Sequence, residues 1–177
     1  MSSEGRLSPA EAAEVLRRSR PIPTDRGASP VPVSAITGRR LSGGSASVPS
    51  VPVLSVPVLA PTLLLFLSAT CGGCLDLFAA AQPGSGELAE TGVRVVVIVR
   101  QADPALFDLI GDAEAAVSPD AWTQYQVSGP PFFSLVLPGR SSVAIEGVAW
   151  GAEAVALSVV RALGGDFALE VPRLEGP

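Results

Sequence analysis

The feature that most constrains this chain is a junction between an apolar run and a cysteine pair. Thr62-Leu63-Leu64-Leu65-Phe66-Leu67 is continuously apolar after its first residue and is flanked by Pro61 and Ser68. A short run of this kind, without alternation and bounded by turn residues, reads as a strand covered on both faces. Ser68-Ala69-Thr70 makes a short turn, and a helical stretch is expected from 71 to 82, closed by Pro83-Gly84-Ser85-Gly86. The chain's two cysteines, Cys71 and Cys74, fall at the start of that helix.

The remaining pattern supplies layers for such a strand. A second buried strand is expected at 93–99, a helix at 104–110, a short strand at 115–117, and a helix from Ser118-Pro119-Asp120 to about 125. Residues 132–137 and 142–145 alternate around Pro138-Gly139-Arg140, which predicts a hairpin. A last helix is expected at 152–163, stopped by Gly164-Gly165. The main order, β-α-β-α-β-β-α, predicts an α/β fold: a central mixed β-sheet flanked by helices.

Upstream, residues 21–50 are rich in Pro, Ser and Gly. Ser8-Pro9-Ala10-Glu11 opens an expected short helix that Pro21 and Pro23 end. Residues 31–36 and 39–41 suggest a small hairpin around Thr37-Gly38, and the prolines of 47–57 allow only an extended or edge segment. The expected division is an N-terminal arm over 1–45, a folded domain over 46–168 and a tail over 169–177.

Composition removes several kinds of chemistry. The net charge is −5 and the arginines are scattered, so nucleic acid is not an expected partner. The sequence contains no histidine and no lysine, which excludes histidine bases and ligands, Schiff-base catalysis and the P-loop lysine. Two cysteines cannot complete a four-cysteine zinc site within one chain. Residues 1–20 are polar and lack the apolar segment of a signal peptide. The apolar stretch 51–67 is broken by Pro52, Pro57 and Pro61 and falls short of the roughly 20 residues of a membrane span. A cytoplasmic location without a membrane span is the resulting expectation.

The junction has its own chemical logic. A thiol at the start of a helix meets unsatisfied backbone N–H groups and the positive end of the helix dipole. Its pKa is therefore expected below the free value of about 8.5, and the thiolate is the nucleophile. Cys71 is assigned the attack, and Cys74, one helical turn along, the resolution of the mixed disulfide. Gly72 and Gly73 permit the tight turn between them without adding charge. Other readings of the residues stay open: a pair of buried apolar cysteines, a pair that oxidises by accident, and half of a metal or iron–sulfur site shared by two chains. Trp122 and Trp150 read as packing residues, and Arg94 and Arg100 as solvated strand ends. Asp76 reads as a solvent-facing acid or as one that raises a thiol pKa.

Residues 64–74 resemble the active-site strand and helix of the thioredoxin superfamily. The Phe-Leu-Ser-x-Thr-Cys wording is similar to TlpA-type proteins and to the MauD-type accessory proteins of methylamine dehydrogenase maturation. Downstream, Tyr125-Gln126-Val127-Ser128-Gly129-Pro130-Pro131 resembles the family's Tyr-x-Val-x-Gly-x-Pro segment. The resemblance covers about residues 60–165 and implies a thioredoxin-like fold. It also implies a cis-proline at Pro131 facing the cysteines, with the neighbouring backbone, here Pro130, pairing with the substrate chain. Thr70 stands where the family usually has an aromatic residue, and Leu65 where thioredoxins carry a buried acid. No lysine follows Cys74. The implied activity is thiol–disulfide exchange on a protein client bearing thiols or a disulfide, with a thiol or reductase as electron donor. The redox-active pair Cys71–Cys74 would be the sole redox group, without metal or other cofactor. The departures favour a narrow client range, and the alternative is a non-catalytic accessory or binding module on the same fold.

Overall fold

Alternation along each strand decides which of two cores a residue joins. The computed structural model describes residues 30–42, 45–46, 50–84, 86–148 and 151–167. Its strands are β1 (Ile36–Ser42), β2 (Ser45–Ala46), β3 (Val51–Leu54), β4 (Thr62–Leu67), β5 (Arg94–Val99), β6 (Ala115–Val117), β7 (Phe132–Val136) and β8 (Ile145–Val148). Its helices are α1 (Leu75–Ala80), α2 (Gly86–Glu90), α3 (Pro104–Ile110), α4 (Pro119–Gln124) and α5 (Ala152–Phe167). Leu63, Leu65 and Leu67 of β4, with Val97 and Val99 of β5, face a core built with α1, α2, α3 and α5. Leu64 and Phe66, with Val96 and Ile98, face a second core that contains Trp122, Tyr125 and, from the N-terminal part of the chain, Val31, Ile36, Val53, Leu54 and Val58. Successive strand side chains point to opposite faces, so a strand covered on both sides is apolar along its length, as β4 is from Leu63 to Leu67.

The sheet is mixed, in the order β2-β1-β6-β5-β4-β7-β8, with β3 beside β1. β4 and β5 run parallel over six residue pairs, and β5 and β6 are also parallel. β7 joins β4 antiparallel, and β8 joins β7 in the same sense. Phe66 lies at the centre of an aromatic group, with ring centroids 5.5 Å from Trp122, 5.8 Å from Tyr125 and 6.3 Å from Phe132. The Tyr125 hydroxyl donates to the Ser34 carbonyl at 2.9 Å, which ties the N-terminal segment to this core.

Several sequence expectations change. Residues 36–42 form one strand, not the turn of a hairpin, because β1 pairs with β3 on one edge and β6 on the other. Gly38 is what allows the second contact: a Cβ there would meet the Val117 carbonyl oxygen at 2.8 Å. The folded unit therefore reaches N-terminally of residue 46. The segment with Pro52 does take an edge position, as expected of a strand with missing donors. The second arm of the last hairpin is displaced to β8, because Ser142 instead bridges to Pro32. Helix α5 continues past Gly164, which does not take the positive φ that a glycine stop requires. Gly86 opens the short α2 rather than only closing the preceding turn. The expected helix in 8–20, the tail 169–177 and Trp150 lie outside the described residues.

Candidate active site

Interior strand β4 delivers the chain to the end of the sheet at its C-terminus, and a hydroxyl turns it. The Ser68 Oγ accepts from the Thr70 backbone N–H at 3.3 Å and lies 3.0 Å from the Thr70 Oγ1. The Cys71 N–H donates to the Ser68 carbonyl at 3.2 Å. Cys71 itself is extended, with φ −95° and ψ 109°. Gly72–Cys74 then form one 3₁₀ turn, with the Cys74 N–H donating to the Cys71 carbonyl at 2.9 Å, and α1 follows directly. The expected continuous helix from 71 thus begins with a tighter turn.

The two cysteines are joined by a disulfide, their Cα atoms 5.3 Å apart. They are unequal in exposure. Cys74 is wholly buried in the core beneath α1, whereas Cys71 is half-buried at its margin. Gly72 and Gly73 both avoid positive φ, so the turn does not require glycine for its backbone angles. A Cβ at Gly72 would meet nothing within 4 Å, so glycine here leaves the outer side of the pair bare. Asp76 is exposed on the first turn of α1. Leu65 is wholly buried between Val97 and Phe133, so the position where the resemblance places an acid holds an alkyl group.

The Pro130–Pro131 peptide is cis. The β4–β7 register pairs Phe66 with Phe132, which carries Pro131 and Pro130 alongside the last residues of β4 and the turn that follows. Pro131 is buried and Pro130 half-buried. A cavity of about 280 Å³ opens beside this junction, and Thr70 and Pro130 both line it. Trp122, Arg100 and Asp103 also line it, together with the polar residues Ser68, Gln101 and Ser128. The Arg100 guanidinium carbon sits 4.8 Å from the centroid of the Trp122 ring.

The structure therefore brings Thr70 and Pro130 to one opening, with Cys71 next in the chain after Thr70 and Cys74 buried in the core. Trp122 and Arg100 were not expected there. Trp122 does pack in the core, but it also reaches the cavity, and Arg100, exposed at the end of β5 as expected, also lies over its ring. Tyr125 is a packing residue. Burial pushes its hydroxyl up to about 12, against the opposing effect of its hydrogen bond with the Ser34 backbone. Among the described residues no group of three or more His, Cys, Asp or Glu side chains could hold a metal ion, and no helix is long and apolar enough to cross a membrane.

No protein-family model matches the chain, and no curated protein matches it. Solved structures do. The thioredoxin domain of a thiol-disulfide oxidoreductase from Bacteroides vulgatus aligns with 76% of this chain and 98% of its own, at 16% identity and a TM-score of 0.52. A thiol:disulfide interchange protein from Bacteroides sp. aligns with 81% of this chain and 95% of its own, at 17% identity and 0.52. The mitochondrial 2-Cys peroxiredoxin of Plasmodium falciparum aligns with 82% and 99%, at 13% identity and 0.56. At these identities the likeness is one of fold, and the fold of this chain is thioredoxin-like.

Proposed function

We propose that the protein is a thiol–disulfide oxidoreductase that exchanges disulfides with a protein client through Cys71 and Cys74. The observation that carries this reading is the asymmetry of the pair: one cysteine half-buried at the margin of the core, the other wholly buried within it. In the reducing direction, the Cys71 thiolate attacks one sulfur of the client disulfide and expels the other as a thiolate, which takes up a proton. The Cys74 thiol then loses its proton and attacks the Cys71 sulfur, releasing the second client thiolate. Two electrons pass from the protein dithiol to the client, and the protein is left with the Cys71–Cys74 disulfide. A thiol or a reductase restores the dithiol. Thr70, Gly72 and Gly73 shape the approach to Cys71, and Pro130 and Pro131 form the facing wall.

The thioredoxin-like fold, shared with oxidoreductases of known structure, supports this reading. In the cytoplasmic setting expected from the sequence, reduction of clients is the favoured direction, because the compartment's thiols keep the pair reduced. Equilibration with defined glutathione ratios, followed by a disulfide-reduction assay on insulin, tests it. A reversible two-electron transition and catalysed reduction or oxidation are expected. A pair that never cycles would leave a thioredoxin-fold accessory module.

A further inference from the structure

The surroundings of Cys74 are poorly suited to a group that must ionise before it can react. Cys74 has no exposure, and every other member of its buried cluster is a hydrocarbon side chain, Leu65, Leu67, Leu77 and Phe78 among them. Its backbone N–H already donates to the Cys71 carbonyl. Among the described side chains, the charged groups on the elements packed against α1 lie toward solvent. Asp76 on α1, Glu87 and Glu90 on α2, Asp108 on α3, and Glu153 and Arg161 on α5 are all exposed. Asp103, at the start of α3, is half-buried with its Oδ1 on the Ala105 N–H, and β4 carries no charge. Once the bridge opens, a thiolate on Cys74 meets hydrocarbon and, beyond it, mostly carboxylates, and both disfavour the anion.

Cys71 stands differently. It is half-buried, and the adjoining Gly72 is exposed, with nothing within 4 Å of the place a Cβ would take. Leu75, directly after Cys74, is 50% exposed. A client sulfur joined to Cys71 is therefore open to other thiols, and Leu75 offers unfolded chain an apolar contact.

We infer that the protein is a disulfide isomerase for clients that carry a free thiol beside a mispaired disulfide. The inference rests on the proposed exchange activity and divides its clients in two. The Cys71 thiolate attacks one sulfur of the client disulfide and expels the other as a thiolate. A third client thiolate then attacks the client sulfur of the mixed disulfide, forms a new client disulfide and returns the Cys71 thiolate. One disulfide breaks and one forms, so no electrons are gained or lost overall and no outside oxidant or reductant is consumed. A client without a spare thiol waits for Cys74 and is reduced. The spare thiol and Cys74 compete for the mixed disulfide within one complex, so their thiolate populations decide between them. Complete burial lowers the charged fraction of a group by about two or more powers of ten. The greater nucleophilicity of the rarer thiolate recovers less than half of that on a logarithmic scale. A preference of roughly tenfold for the client thiol remains.

The probe is a peptide of three cysteines, prepared with its disulfide in the less stable pairing and its third thiol free. It is mixed with reduced protein, quenched by alkylation at intervals and resolved by chromatography, with spontaneous shuffling subtracted. At pH 7 the re-paired peptide should form roughly tenfold faster than the fully reduced peptide. Raising the pH past the free-thiol value of about 8.5 should erode that ratio, because the client thiol is then ionised while the Cys74 thiolate is still increasing. Cys74→Ser should lose the reduced product and still deliver the re-paired one, a split that a purely structural role for Cys74 would not produce. A reduced product that dominates at pH 7, or a ratio that pH leaves unchanged, overturns the isomerase and leaves the exchange activity standing. Neither product, with no mixed disulfide trapped on Cys74→Ser, defeats the exchange activity and the isomerase with it.

Discussion

Reduction of the Cys71–Cys74 bridge should cost the fold little. The bridge closes a loop with a sequence separation of 3, so it removes very little freedom from the unfolded chain. In the loop-entropy treatment, a four-residue loop gives about 6 cal/mol/K, or about 2 kcal/mol at 25 °C. A typical domain is stable by about 5–15 kcal/mol, and strands β4, β5 and β7 keep their pairing and both cores when the bridge opens. For a domain of this size, about 2 kcal/mol corresponds to a fall in Tm of roughly 4–8 °C. Calorimetry with and without a phosphine reductant reads this directly. Cys71→Ser should resemble the reduced protein, because its side chain sits at the margin of the core. Cys74→Ser should lose about 1–3 kcal/mol more, since it places a hydroxyl where nothing is exposed. A reduced protein that unfolds at room temperature would refute the reasoning and make the disulfide a structural staple.

Three further outcomes follow from the packing. Tyr125 is the chain's one tyrosine, so absorbance near 295 nm during alkaline titration reports it alone. Its folded value of about 12 exceeds the unfolded 10.0, so its contribution to stability is complete below pH 10 and is lost as pH rises toward 12; Tyr125→Phe should abolish that loss in denaturation curves taken across the window. Phe66→Ala should cost about 3–5 kcal/mol in chemical denaturation, because Phe66 is the shared neighbour of Trp122, Tyr125 and Phe132. Arg94→Met should cost about 1–3 kcal/mol in the same assay: Arg94 donates to Glu114 at 2.9 Å and to the Val53 carbonyl at 2.8 Å, and its loss strips a partner from each.

The sequence made the centre of this molecule readable and its edges much less so. β4 and β5 show as unbroken apolar runs because both faces of each are covered, and the turn residues of α3 give its span without error. β1 was obscured because its neighbours are proline and glycine. Its place in the sheet depends on pairing with β6, far along the chain, and on the absence of a Cβ at Gly38. The displacement of β8 has a similar cause, a bridge between Ser142 and Pro32 that no local pattern announces. At the site, the place of the cysteine pair directly after β4 was legible in the sequence, whereas the cis bond before Pro131 was expected only through the resemblance. Trp122 and Arg100 were not, because the first carries an ordinary core signature and the second an ordinary surface one. Only the parallel pairing of β5 with β4, with α4 packed beneath them, sets the indole under the guanidinium and both at the mouth beside Thr70.

The central claim is a division of labour between an accessible attacking sulfur and a sealed resolving one. It is tested most directly by intact-mass measurement after brief exposure of Cys71→Ser and Cys74→Ser to oxidised glutathione. The account predicts a single stable glutathione adduct on Cys74→Ser, carried by Cys71, and an essentially unmodified Cys71→Ser. Equal modification of both variants, or adduct formation on Cys74 alone, would contradict it.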